Sequence, residues 1–176
     1  TLLWNTVYDS DYYGIAVYDS RGNVIADNEL FGNVWDGIFM SGGMYNILAG
    51  NTVYDNGGGI YMRFSEENRV ERNQVFDNSW IGIGATMSVA NHFVQNVVGE
   101  NVSFGFRLRS ASGNWVDGNV VFLNGDHGMF VYDHSDGNEI VGNMIFQNAT
   151  NGIVIQDSEG NHVHHNEIFE QGEDGV

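Results

Sequence analysis

The sequence predicts an all-β fold, a right-handed parallel β-helix of about eight coils, and three observations predict it. A glycine recurs every 22 to 24 residues, at Gly14, Gly37, Gly59, Gly82, Gly105, Gly128, Gly152 and Gly175. Asparagines keep the same spacing in separate columns, and the residues between them alternate apolar and polar with period two, the periodicity of a strand and not of a helix. A unit of this length cannot bury its own apolar face. Stacked at the ~4.8 Å spacing between strands, such units form three parallel sheets around a continuous core.

Each element of the coil follows from one column, with coils numbered from the one that holds Gly14. The first asparagine column runs Asn5, Asn28, Asn51, Asn73, Asn96, Asn119, Asn143, Asn166, and the second Asn23, Asn46, Asn68, Asn91, Asn114, Asn138, Asn161. A third holds Asn33, Asn56, Asn78, Asn101, Asn124 and Asn148, with Ser10 and Gln171 in its end coils. Of the 22 asparagines only Asn151 falls outside these columns. Asparagine tolerates a left-handed backbone, and its amide can bond the amides above and below, so these positions read as turns and scaffold. Short apolar runs such as Ile15-Ala16-Val17 and Ile153-Val154-Ile155 are the strands. The inward columns are then Ile15 to Ile153, Val17 to Ile155 and Val7 to Ile168. An aromatic column, Tyr8, Phe31, Tyr54, Phe76, Phe122, Phe146 and Phe169, interrupted by Gly99, reads as ring stacking between rungs.

Composition narrows the function. There are 23 acidic residues against six arginines and no lysine, a net charge of −17, which argues against nucleic acid as a partner because phosphate neutralisation needs clustered cations. Cysteine and proline are absent, so disulfides and thiolate metal sites are excluded. No apolar run approaches the ~20 residues of a membrane span, and no membrane partner is expected. Residues 1–176 read as one domain. Thr1 begins partway through a repeat, Val176 stops one residue after Gly175, and no cap is visible. The expectation is a segment of a longer solenoid, or a chain whose open ends are covered by something else, such as end-to-end protein contacts.

Function on such a scaffold lies in outward-facing residues. Counting from each repeat glycine, the fourth residue on reads Tyr18, Ser41, Arg63, Thr86, Arg109, Tyr132, Gln156, and the second reads Ala16, Phe39, Tyr61, Gly84, Arg107, Phe130, Val154. Three of the six arginines thus fall on one face. Coil six adds Asp126, His127, Asp133 and His134. Arg109 and Tyr132 are one rung apart, so the guanidinium favours phenolate for proton transfer and could neutralise a substrate carboxylate. His127 is the candidate partner acid or base. Arg107, Arg109, His127 and Tyr132 are therefore the candidate catalytic residues. In the loop before the glycine, Tyr12, Trp35 and Trp80 stand two residues ahead of it, with Tyr13 and Asp36 beside them. Such rings either stack on sugars or pack on the coil corner. Tyr12, Trp35, Asp36, Tyr61, Arg63, Trp80, Asp126 and Phe130 are the candidate substrate contacts. No cofactor is required, though Asp55, Asp77 and Glu100 form an acidic ridge that could hold calcium. His162, His164 and Glu139 make a second conceivable metal cluster.

The repeat N-x-x-x-x-N-x-[VI]-[FY]-x-N-x-x-x-G-I-x-[VM] resembles that of the pectin-lyase-like superfamily over the whole chain. Within it the chain looks closest to mannuronan carbon-5 epimerases and to periplasmic β-helix proteins of nitrous oxide reductase maturation. Asn124-Gly125-Asp126-His127-Gly128-Met129-Phe130-Val131 is similar to an epimerase coil reading N-D-R-H-G-F-x-V, so His127 matches the family histidine. Asp126 replaces its arginine, and the D-P-H-[DE] signature of that family is absent. The resemblance implies an extended polysaccharide as partner, a secreted or periplasmic location and, where chemistry occurs, uronate epimerase or lyase activity. A non-catalytic assembly module is the alternative.

Overall fold

A computed structural model describes residues 1–176 as 23 strands and no helix. All pairing is parallel, and the strands form two sheets of eight and one of seven. The chain therefore makes seven complete coils and part of an eighth, because no third-sheet strand follows Gly175. In coil two the order is Val24–Ala26 in the first sheet, Glu29–Phe31 in the second and Asp36–Ser41 in the third. Of 109 backbone hydrogen bonds, 60 lie outside the strands, so the corners continue the ladder from coil to coil.

The expected inward columns are the core. Ile38, Ile60 and Ile83 are fully or almost fully buried, as are Met40, Met62 and Ala85, and Leu30, Val53 and Val75. The first sheet adds a further inward column that the repeat pattern did not single out: Ile25, Leu48, Val70, Phe93, Val116 and Ile140. Ile155, in the last third-sheet strand, is the one member of the expected columns left exposed.

The asparagine ladders form, and their geometry corrects one expectation. No ladder asparagine has a left-handed backbone; the residue before it does, as in Asp27 before Asn28, Gly50 before Asn51 and Gln95 before Asn96. That residue turns the corner and points outward, which leaves the asparagine side chain to face in. Each Oδ1 accepts from the preceding coil: Asn73 donates to Asn96 through its backbone N–H at 3.0 Å and its Nδ2 at 2.9 Å. Asn96 Nδ2 donates in turn to Val70 O and Asn119 Oδ1, both at 2.9 Å. A fourth corner uses serine hydroxyls in the same role, Ser65 Oγ accepting from Gly43 N–H and Ser88 Oγ from Ser65 N–H.

The aromatic column stacks on the outer face of the second sheet, with centroids 5.2 Å apart at Tyr8–Phe31 and Phe31–Tyr54 and 5.3 Å at Tyr54–Phe76. At Gly99 the Phe122 ring leans into the gap, where a Cβ would stand 2.6 Å from it.

Candidate functional site

The outer face of the third sheet carries the cluster that the sequence singled out. Its strands are four residues long except in coils two and three, where Asp36–Ser41 and Gly58–Arg63 run to six. This longer pairing brings Asp36 opposite Gly58. Residues that project outward here are not all solvated. Phe39 is 2% exposed, covered by the Tyr13 ring stacked at 4.3 Å and the Arg63 guanidinium at 5.3 Å. Ile81 is fully buried over Gly84, where a Cβ would overlap its Cδ1. The face thus has a thin second layer of apolar packing under its polar groups.

In that layer the loop before the repeat glycine matters most. Its outer column runs Tyr12, Trp35, Gly57, Trp80, so that coil three contributes no ring. Tyr12 and Trp35 touch, 5.7 Å between centroids, and Tyr12 is exposed. Where coil three has only Gly57 and Gly58, a cleft of about 340 Å³ opens, lined by Val34, Trp35, Asp36, Gly57, Gly58 and Trp80. Trp80 is packed in turn by Arg107, whose guanidinium stands 4.5 Å from the indole and 5.7 Å from the Tyr61 ring.

Two ionisable groups around this cleft are buried without a counter-ion in contact. Asp36 is 8% exposed and its carboxylate makes no hydrogen bond or ion pair. Burial pushes its carboxyl up from 3.8 to about 6, against the opposing pull of the Arg107 guanidinium. Burial and the Asp36 charge also raise the Tyr13 phenol above its ordinary value. Arg107 is 9% exposed, its Nε has no partner, and its only hydrogen bond is a long one of 3.5 Å to Thr86 Oγ1. Such groups cost stability, and they concentrate where a protein binds or reacts.

The remaining candidates lie on coils five and six. Arg109 sits over the Tyr132 ring at 5.9 Å, but its Nε donates to Asp133 Oδ2 at 3.0 Å, so its charge is partnered by that carboxylate. Phe130 stacks on Tyr132 at 4.2 Å and meets His127 edge-on at 5.3 Å, and therefore lies between them. His127 is half-buried under Phe104, with Nδ1 2.6 Å from Thr150 Oγ1, whose hydroxyl also reaches Asp126 Oδ1 at 3.0 Å. Its Nε2 is the ring nitrogen left for any proton transfer. Arg109 and Tyr132 are thus brought together, His127 is one ring away, and Arg107 packs apart from them on Trp80 and Tyr61. None of the four cavities in the molecule is lined by any of these four residues.

Sequence reasoning missed Gly57, Gly58, Phe104 and Thr150. The glycines carried a signal, a break in the column of large rings; Phe104 and Thr150 matched no pattern. Elsewhere, Glu139 pairs with both His162 and His164. Asp55, Asp77 and Glu100 occupy successive left-handed corners in solvent. No three histidine or acidic residues anywhere are grouped to hold a metal ion. No helix is long and apolar enough to cross a membrane.

Comparison with known proteins gives the fold a context. A point mutant of the periplasmic alginate epimerase AlgG superposes with a TM-score of 0.78 at 21% identity, over 96% of this chain and 50% of its own. The A-module of the Azotobacter vinelandii mannuronan C-5 epimerase AlgE6 gives 0.83 at 18% identity, over 99% and 58%. The Dettilon tailspike protein gives 0.75 at 14%, over 93% and 46%. This chain spans about half the length of each. No curated protein matches it by sequence. The right-handed β-helix region family matches residues 1–145 and 100–176, and the chain belongs to that family.

Proposed function

We propose that the chain is a polysaccharide-binding β-helix module that holds an extended glycan along the outer face of its third sheet. One observation carries this reading. Tyr12, Trp35 and Trp80 present partly exposed rings in a row along the solenoid axis, broken by an open cleft that Asp36 lines. Pyranose faces are apolar and stack on such rings, while hydroxyls seek buried acceptors. A polymer that runs along the axis meets this pattern at successive rungs, with Tyr61, Arg63, Asp126 and Phe130 beside its path. A secreted or periplasmic location, where such polymers occur, accords with this reading.

Uronate epimerisation or lysis is the finer form of the proposal, with Tyr132 as proton acceptor, His127 Nε2 as partner and Arg109 facing the substrate carboxylate. The geometry gives this less support than it gives binding, because Arg109 is paired with Asp133 and Phe130 separates the other two. Affinity electrophoresis against mannuronan, alginate, pectate and neutral glycans tests the binding, and unsaturated-product absorbance with proton exchange at carbon 5 tests the chemistry. Retardation lost in Tyr12→Ala supports the groove, and product lost in Tyr132→Phe supports catalysis. Silence on every polymer, with self-association through the strand edges at the ends, would favour the assembly reading instead.

A further inference from the structure

Backbone spacing gives the cleft between Trp35 and Trp80 room for one sugar ring. The two residues occupy the same column two rungs apart, about 9–10 Å along the axis at the usual strand spacing. An apolar body in contact on both sides at ~3.5–4 Å occupies some 7–8 Å. The intervening rung is emptied by sequence. A Cβ at Gly58 would overlap Asp36 Oδ1 and stand 3.8 Å from Trp80 Cε3, and a Cβ at Gly57 would overlap Val34 O. Any larger residue there would fill the space. Asp36, 8% exposed as a residue, lines the cleft, and its carboxylate has no protein donor.

We propose that this cleft is a subsite for a single neutral pyranose ring, seated between Trp35 and Trp80 with its hydroxyls donating to Asp36. The inference deepens the polysaccharide-binding reading and rests on it. A carboxylate acceptor suits hydroxyl donors and repels a uronate, since like charges at close range in a poorly solvated site are strongly unfavourable. The Arg107 guanidinium already acts on the Asp36 charge, which leaves a cationic amino sugar less to gain there. A neutral ring satisfies Asp36 without the penalty that a uronate meets.

The four tryptophans make the test internal. Trp115 lies on the first sheet, stacked on His92, and Trp4 stands at the start of the chain, both away from the cleft. Cello- and manno-oligosaccharides, titrated while indole N–H signals are followed by NMR at about pH 8, shift Trp35 and Trp80 and leave Trp4 and Trp115 in place. Affinity falls at least tenfold in Trp35→Ala and in Gly58→Val. Oligomannuronate binds at least tenfold more weakly at these two signals than the neutral oligomers, and Asp36→Asn narrows that ratio. Equal or stronger binding there by oligomannuronate or by a glucosamine oligomer would overturn the neutral assignment. Polymer binding that persists unchanged in Trp35→Ala and Gly58→Val would overturn the subsite and leave the groove standing. Absence of binding by every glycan removes both.

Discussion

Asn96 shows how much one ladder amide holds. It is fully buried, and its side chain takes part in four hydrogen bonds that link three coils. Each net bond contributes about 1 kcal/mol, but a partner left buried and unpaired costs about 1–3 kcal/mol. Asn96→Ala is therefore expected to destabilise the fold by at least about 3 kcal/mol, read as a lower urea midpoint. A loss under 1 kcal/mol would mean that water replaces the amide. Asp36 works the other way. Its carboxyl is raised from 3.8 to about 6, so between these values the folded chain binds more protons than the unfolded one. Stability attributable to this group is full below about pH 4 and is lost as the pH rises through 6. At ~1.4 kcal/mol per pH unit the penalty reaches about 3 kcal/mol. Asp36→Asn should stabilise the protein by up to that amount at pH 8 and hardly at all at pH 4; an equal gain at both would refute the assignment. The asparagines were legible in the sequence because each column repeats one residue type. The serine ladder was not, because Gly43 and Ala111 interrupt it and hide the period. Nor could Asp36 be told from a solvated acid, since Gly58 and Trp80, which stand beside it, belong to other coils.

At the scale of the element, two classes of glycine carry different loads. Gly105 enters a third-sheet strand, and a Cβ there would stand 2.5 Å from Val121 Cγ1 and 2.7 Å from both Gly128 O and Asn124 Nδ2. Backbone and core block it on the inner side. Gly113 turns a corner at φ +62° with nothing within 4 Å of such a Cβ. Gly105→Ala is expected to cost about 3 kcal/mol by overpacking, and Gly113→Ala about 1 kcal/mol by backbone strain alone. Thermal denaturation of the two variants side by side decides, and the reverse order would contradict the packing described. The strands themselves were legible from period-two alternation, together with their order around the coil. The lengthening to six residues in coils two and three was not, because the extra pairing of Asp36 with Gly58 involves residues with no strand propensity. The cleft was hidden for a related reason: it is made by two missing side chains, and a pattern of what is present does not count them.

In the whole molecule, the backbone of each coil pairs only with its neighbours, so stability is close to a sum of coil terms and coil–coil interfaces. Interior coils have two interfaces and end coils one. Val7, Val163 and Ile168 are only partly buried, whereas Val53, Val75 and Val98 are fully so. Amide exchange in this 176-residue chain is expected to be slowest between about residues 46 and 124 and to quicken toward both ends. Uniform protection along the chain would show that it opens only as one unit. The repeat made this architecture legible from residue spacing alone. Function was not legible to the same degree, because one scaffold supports epimerases and tailspikes alike and only the outward residues differ.

The amide ladders also give the solenoid an electrical sense. Every asparagine column passes its side-chain-to-side-chain hydrogen bonds the same way, oxygen toward the preceding coil and one amide hydrogen toward the next, so these dipoles add instead of cancelling. One face of the stack ends in lone pairs and the other in N–H groups, and Asn161 Nδ2 is already one such donor with no acceptor. Two copies that met along the axis would attract head to tail and repel head to head, so any filament of this fold would be a vector.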